Sequence, residues 1–234
     1  MNDFKRGLRK GLPIMIGYLS VSFTFGVKAV NGGIPPYAAI LMSLTNLTSA
    51  GQFAGATLLM EQSSMIELIL TTFVINIRYM LMSLALSQKI EESRLGQRLF
   101  IGYGITDEIF AVASTEQRKV TPRYMYGLIC LPVIGWTVGT ALGAVASKLM
   151  PETLSCAMEL GLYAMFIAII IPPAKKKHAI AIVIIIAVVA QCIFSVVPFL
   201  KNISVGFRVI LTAIVAAVFG AIVFPISKEE VEHD

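Results

Sequence analysis

Charge is what this sequence has least of. Asp, Glu, Lys and Arg make up 14% of its 234 residues, while 56% are hydrophobic. A soluble domain of this length needs about a quarter of its residues charged. The shortage excludes water as the main solvent and makes the chain an integral membrane protein. Histidine is almost absent: His178 stands beside a triple lysine and His233 in the tail, both outside the apolar runs. That excludes a Ser–His dyad or a histidine metal site within the bilayer. Aspartate within the apolar runs is confined to Asp107, so a diaspartyl hydrolase is excluded too, and no enzyme, metal or cofactor is expected. Cys130, Cys156 and Cys192 lie in separate runs with no CxxC spacing, which argues against a disulfide framework or a zinc site and for small buried hydrophobes. Despite a net charge of +5, no cationic face interleaved with aromatics is present, so no nucleic-acid partner is expected.

What is present is a series of apolar runs at about 12–30, 37–60, 65–88, 100–116, 125–149, 154–172, 178–199 and 204–226. Most approach the roughly 20 residues that a helix needs to cross a bilayer. No small-x-small site closes an early hydrophobic region, so a retained first helix is expected. The fold class is all-α: one polytopic transmembrane helical bundle over 1–234, with about 6–8 membrane segments. Two runs differ from the rest. Ser43–Phe53 packs small and amide side chains into the second run, and Gly102–Phe110 carries two adjacent carboxylates in a short fourth run. Both read as interrupted or re-entrant elements, which survive at membrane depth only where protein or a water-filled cavity surrounds them.

Basic clusters lie between the runs, at Lys5-Arg6-Arg9-Lys10, Arg118-Lys119-Arg123 and Lys175-Lys176-Lys177. This is the pattern of loops that face the cytoplasm and its anionic lipids. If all eight runs span, the loop carrying Lys89, Arg94 and Arg98 faces outward against that rule. If runs two and four dip in and return, the violation disappears. A weak internal echo, Leu12-Pro13 with Gly17 against Leu131-Pro132 with Gly135, suggests halves at about 10–117 and 125–226. Pro35 and Pro151 extend it.

Few ionisable residues stand within the runs: Glu67, Arg78, Asp107, Glu108, Glu159 and Arg208. Glu67, Glu159, Arg208 and Lys28 lie near run ends and are expected to reach the interface. Arg78 lies near the centre of its run, where an arginine costs about 3 kcal/mol on insertion scales. Its guanidinium needs an acceptor, and Asp107 or Glu108 is the expected one. Such a pair either pins two helices together or lines a polar cavity reached by substrate. Helical spacing in the second run places Thr48 and Gln52, and Asn46 and Ser49, on neighbouring surfaces. Ser49 and Gly51 equally suit close helix packing. Asn46 and Gln52 carry amides that are expensive against lipid, and so expect a ligand or an interhelical hydrogen bond. One cation, two anions, amides and hydroxyls suit a zwitterion. Its carboxylate would meet Arg78 and its ammonium Asp107 or Glu108.

Three stretches, Thr48-Ser49-Ala50-Gly51-Gln52-Phe53, Asn76-Ile77-Arg78-Tyr79 and Gly104-Ile105-Thr106-Asp107-Glu108-Ile109-Phe110-Ala111, resemble the signatures of the AzlC family in order and spacing. The start of the first run, Leu12-Pro13 through Gly17 to Phe25-Gly26, is also similar. The resemblance is clear over residues 10 to 120. It implies a secondary transporter of the cytoplasmic membrane that exports branched-chain or related neutral amino acids with a small AzlD-type membrane subunit. It also implies roles for Gln52, Arg78, Thr106, Asp107 and Glu108, with Ser49. The sequence departs from the family pattern where an Asp-x-Arg-His is frequent, having Asn76 and Tyr79 there, and has Gly51 where serine is frequent. The lost histidine removes a possible proton relay. The expected substrate and transport residues are thus Asn46, Ser49, Gln52, Asn76, Arg78, Thr106, Asp107 and Glu108. An ion or small-solute channel and a structural subunit of another membrane complex are the alternatives.

Overall fold

The computed structural model describes residues 2–149, 167, 170–175, 177–200 and 203–224. Pro151, Cys156, Glu159, Lys176, His233 and most of the run at 154–172 lie outside the described residues. These residues are helical, apart from loops and one isolated bridge between Ile90 and Val120. They fall into two compact units, one drawn from Met1–Met60 and Ile75–Leu162, the other from Glu61–Val74 and Tyr163–Asp234.

The first unit contains α1 (Asp3–Asn31), α2 (Pro36–Thr45), α3 (Ala50–Met60), the second half of α4 (Met65–Ser87), α5 (Leu95–Tyr103), α6 (Asp107–Ser114) and α7 (Pro122–Ala146), which ends in a 3-10 turn at Ser147–Leu149. Local chemistry sets several starts. Pro36 and Pro122 occupy first-turn positions whose N–H would be unsatisfied anyway, and the Thr121 hydroxyl accepts from the Tyr124 N–H at 3.2 Å. Among the described residues α1, α4, α7 and two helices of the second unit are long and apolar enough to cross a membrane.

α1 and α7 touch backbone to backbone. A Cβ built on Gly7 would lie 2.7 Å from the Leu128 nitrogen, one on Gly11 2.6 Å from the Leu128 oxygen, and one on Gly26 2.8 Å from the Ala144 nitrogen. Small residues permit this approach, and dispersion contacts hold the pair where lipid offers no hydrophobic gain. Residue numbers rise together along the contact, so the two helices are parallel. The echoing prolines, Pro13 and Pro132, therefore fall on neighbouring parallel helices.

Parallel helices must be joined by an odd number of crossings between them, and α4 alone is long enough to make one. The pairs α2–α3 and α5–α6 accordingly enter and return. The end of α3 comes back to the end of α1, where a Cβ on Gly32 would fall on the Met60 thioether. At the opposite end, Ile90 bridges Val120, Lys89 Nζ donates to the Ser114 carbonyl, and Arg6 Nη2 donates to the Lys119 carbonyl at 2.9 Å. The start of α1 and the basic loops around 88–98 and 117–123 thus share one end, as the charge pattern requires when runs two and four are interrupted. Beneath them Leu86, Ile101, Ile105, Ile109, Tyr124, Met125, Leu128 and Ile129 form a buried core.

The second unit holds the first half of α4 with α8 (His178–Val196) and α9 (Val205–Val223). Glu67 does not reach an interface as its sequence position suggests. It is 5% exposed, and its Oε1 accepts the Gly206 N–H at 2.9 Å. The first turn of α9 has unpaired N–H groups and the positive end of a helix dipole, both satisfied by this carboxylate.

Candidate functional site

The site forms where the two returning pairs break. Between α2 and α3 the chain at 46–49 leaves the helix, Ser49 adopting a left-handed φ of 40°. Thr48 Oγ1 donates to Asn46 Oδ1 at 2.6 Å. Helical spacing therefore does not govern Asn46, Thr48 and Ser49: such side chains offer the backbone hydrogen bonds that compete with helix, and the helix resumes only at Ala50. Between α5 and α6 the break is Gly104–Thr106, closed by Thr106, whose hydroxyl caps α6 at the Ile109 N–H, 3.3 Å away.

Arg78, on α4, faces the second break. Its Nη1 lies 2.9 Å from Asp107 Oδ2, with side chains 40% and 23% exposed, so the pair is only half-buried. Nη2 donates to the Tyr79 hydroxyl at 3.2 Å, and the guanidinium stands over the Tyr79 ring, 5.0 Å from its centroid. Tyr79 in turn donates to the Thr48 carbonyl at 3.1 Å. Arg78 is thereby tied to both breaks at once. Its Nε is buried with no hydrogen-bond partner.

Adjacent in sequence, the two carboxylates serve different partners. Glu108 does not meet Arg78; its Oε2 lies 2.5 Å from the Tyr18 hydroxyl of α1, which is also 2.7 Å from Thr106 Oγ1. The single tyrosine proton goes to the stronger, anionic acceptor. Thr106 can then donate to the tyrosine oxygen. Both acids sit in the first turn of α6, where the helix dipole favours negative charge.

Gln52 lies away from this open ground. It is 1% exposed and closes a ring of hydrogen bonds: Trp136 Nε1 donates to its Oε1 at 2.9 Å, and its Nε2 donates to Ser43 Oγ at 2.7 Å. Ser43 lies 2.6 Å from Thr140 Oγ1, which donates to the Trp136 carbonyl at 3.0 Å. The interhelical bond expected of this amide is therefore made, by both its oxygen and its nitrogen. Trp136→Phe should leave the Gln52 carbonyl buried and unpaired, lowering stability by about 1–3 kcal/mol. Thermal unfolding of the purified protein reads this loss, whereas an unchanged midpoint would mean the ring is not closed in solution.

Asn76 packs over Gly51. A Cβ at 51 would lie 2.6 Å from Asn76 Nδ2, so glycine at 51 leaves the room that the side chain at 76 occupies. Asn76 Oδ1 is buried without a partner. Sequence reasoning missed Tyr18 and Trp136 and noted Tyr79 only as a departure. Tyr79 does carry one signal, being next to Arg78. Among the described residues no three His, Cys, Asp or Glu side chains cluster as metal ligands.

A family model described as "AzlC protein" matches residues 13–150. The chain belongs to the AzlC family. An uncharacterized membrane protein of Archaeoglobus fulgidus is 31% identical over 182 residues, covering 77% of this chain and 80% of that one. The inner membrane protein YgaZ of Escherichia coli K12 is 26% identical, with 76% of each chain covered. The branched-chain amino acid transport protein AzlC of Bacillus subtilis 168 is 22% identical, covering 75% of this chain and 70% of that one. No solved structure matches. Membership in the AzlC family, with the apolar helices, makes the chain a multi-pass membrane protein with a transport role.

Proposed function

We propose that this AzlC-family chain is a secondary transporter that exports branched-chain or related neutral amino acids across the cytoplasmic membrane, working with a small AzlD-type membrane subunit. In this reading the basic end faces the cytoplasm. The observation that carries it is the half-buried Arg78–Asp107 pair at the meeting point of two broken helix pairs. A substrate carboxylate takes the guanidinium from Asp107, and the released aspartate receives the ammonium. Asn76 Oδ1, buried and unpaired, is a further acceptor. Asn46 and Ser49 belong to the neighbouring break, joined to Arg78 through Tyr79 and Thr48. The proton step of this reading runs through Asp107 or Glu108, the latter held by Tyr18 rather than by Arg78.

Efflux of labelled valine from proteoliposomes containing the chain and its partner tests this reading. It should saturate, show counterflow, and vary in rate with an imposed pH gradient. Equal rates at every gradient would remove the proton step. Conductance that does not saturate would favour a channel, and valine binding only after the partner is added would favour a joint site.

A further inference from the structure

A cavity of about 170 Å³ opens at the basic end of the first unit, outside the site described above. Two helices wall it. α4 contributes Ser83 and Ser87, one turn apart, while α5 contributes Arg98, Ile101 and Gly102, with Ile105 just beyond its end. Offsets of three, four and seven put these last residues on one side of the segment. At the rim, Arg98 is exposed and its Nε donates to Ser93 Oγ at 3.4 Å.

The floor leads toward the site. Ile105 belongs to the break before α6, next to Thr106 and two residues from Asp107. On α4, Tyr79 stands one turn before Ser83, so Tyr79, Ser83 and Ser87 form a polar stripe from the Arg78 cluster to the cavity. None of the lining residues is acidic. One guanidinium, several hydroxyls and a wall of isoleucine recognise a carboxylate with a short branched apolar tail. An ammonium finds no counter-charge there.

We propose that this cavity is a vestibule in which Arg98 first holds the substrate carboxylate before it moves along the serine stripe to Arg78. The vestibule role rests on the transport reading above; the carboxylate site does not. Its mark is selectivity unlike that of the central site, since a branched carboxylate without an ammonium still binds.

The probes are isovalerate and isobutylamine, titrated calorimetrically into the purified chain with its partner. Isovalerate should bind wild type and Arg78→Gln alike, bind Arg98→Gln at least tenfold more weakly, and isobutylamine should not bind. Gly102→Leu supplies a second variant, because a Cβ at 102 meets nothing within 4 Å and the side chain fills the cavity without a backbone clash. It should abolish isovalerate binding without lowering the unfolding midpoint. In proteoliposomes, Arg98→Gln should raise the KM for valine about tenfold from the basic side, leaving the maximal rate from that side unchanged. Wild-type isovalerate affinity in both variants, or an unchanged KM from the basic side, would overturn the proposal. Arg98-dependent isovalerate binding by a chain that moves no valine would refute the transport reading and the vestibule role while leaving the carboxylate site standing.

Discussion

Arg78→Gln abolishes amino acid binding at the central site and leaves the fold intact. A charge-assisted hydrogen bond contributes about 1.5–3 kcal/mol, so losing the guanidinium weakens binding roughly 10- to 100-fold, which for a weak transport substrate is loss at practical concentrations. The effect on folding is smaller. With 40% of the Arg78 side chain and 23% of Asp107 exposed, the pair is not sealed, and its removal should cost less than breaking a fully buried pair. Ligand-induced thermal shift separates the two, because a ligand raises the midpoint only if it binds the native state. The expected pattern is an unfolding midpoint near that of wild type with no response to valine. A lowered midpoint with an undiminished valine response would mean that the pair only pins α4 to α6. Arg78→Lys should retain part of the affinity, since an ammonium attracts the carboxylate as a point charge without the bidentate fork.

Gly139→Val strongly destabilises the first unit. A Cβ at 139 would stand 2.6 Å from the Leu19 carbonyl oxygen and 3.1 Å from the Leu19 Cα. Those are backbone atoms of α1, which cannot rotate away as a side chain would. The two helices must separate, and with them go the contacts made at Gly7, Gly11, Gly26 and Gly143. Overpacking ordinarily costs about 1–3 kcal/mol; here about 3 kcal/mol or more is expected, which lowers the midpoint by roughly 6–12 °C in a chain of this size. Gly17→Val, on the partner helix α1, is the control, since a Cβ there meets nothing within 4 Å. Equal midpoints for the two variants would contradict the close parallel packing of α1 and α7.

Particular residues show how far the fold and the site can be read from the sequence. The interruptions in runs two and four were legible because Asn46, Thr48, Ser49 and the Gly104-Ile105-Thr106 stretch interrupt apolar runs with side chains that bond the backbone. The returning course of those runs was legible in charge alone: only that course brings Lys89, Arg94 and Arg98 to the side of Lys10 and Arg118. Arg78 was legible as a deep charge in need of Asp107 or Glu108, but which of the two adjacent acids it meets was not. What was not legible depended on distance along the chain. Tyr18 is 90 residues from Glu108 and Trp136 is 84 from Gln52, and nothing local in a tyrosine or tryptophan marks such a partner. Gln52 illustrates the consequence. Its amide was recognised as needing a partner, but only the packed helices reveal that tryptophan and serine already satisfy it. Glu67 erred in the opposite direction, since proximity to a run's end does not disclose that another helix begins beside it.

The central claim is that water and substrate reach the ground between the two breaks. The most direct measurement places one cysteine there, Thr48→Cys, in a chain whose Cys130, Cys156 and Cys192 are replaced by serine. Thr48 holds Tyr79 through its backbone carbonyl, so the Arg78–Asp107 pair survives the change. A membrane-impermeant thiol reagent should label this cysteine, and saturating valine should protect it. A cysteine that stays unlabelled in the folded protein, or reacts at the same rate with valine present, would contradict the account.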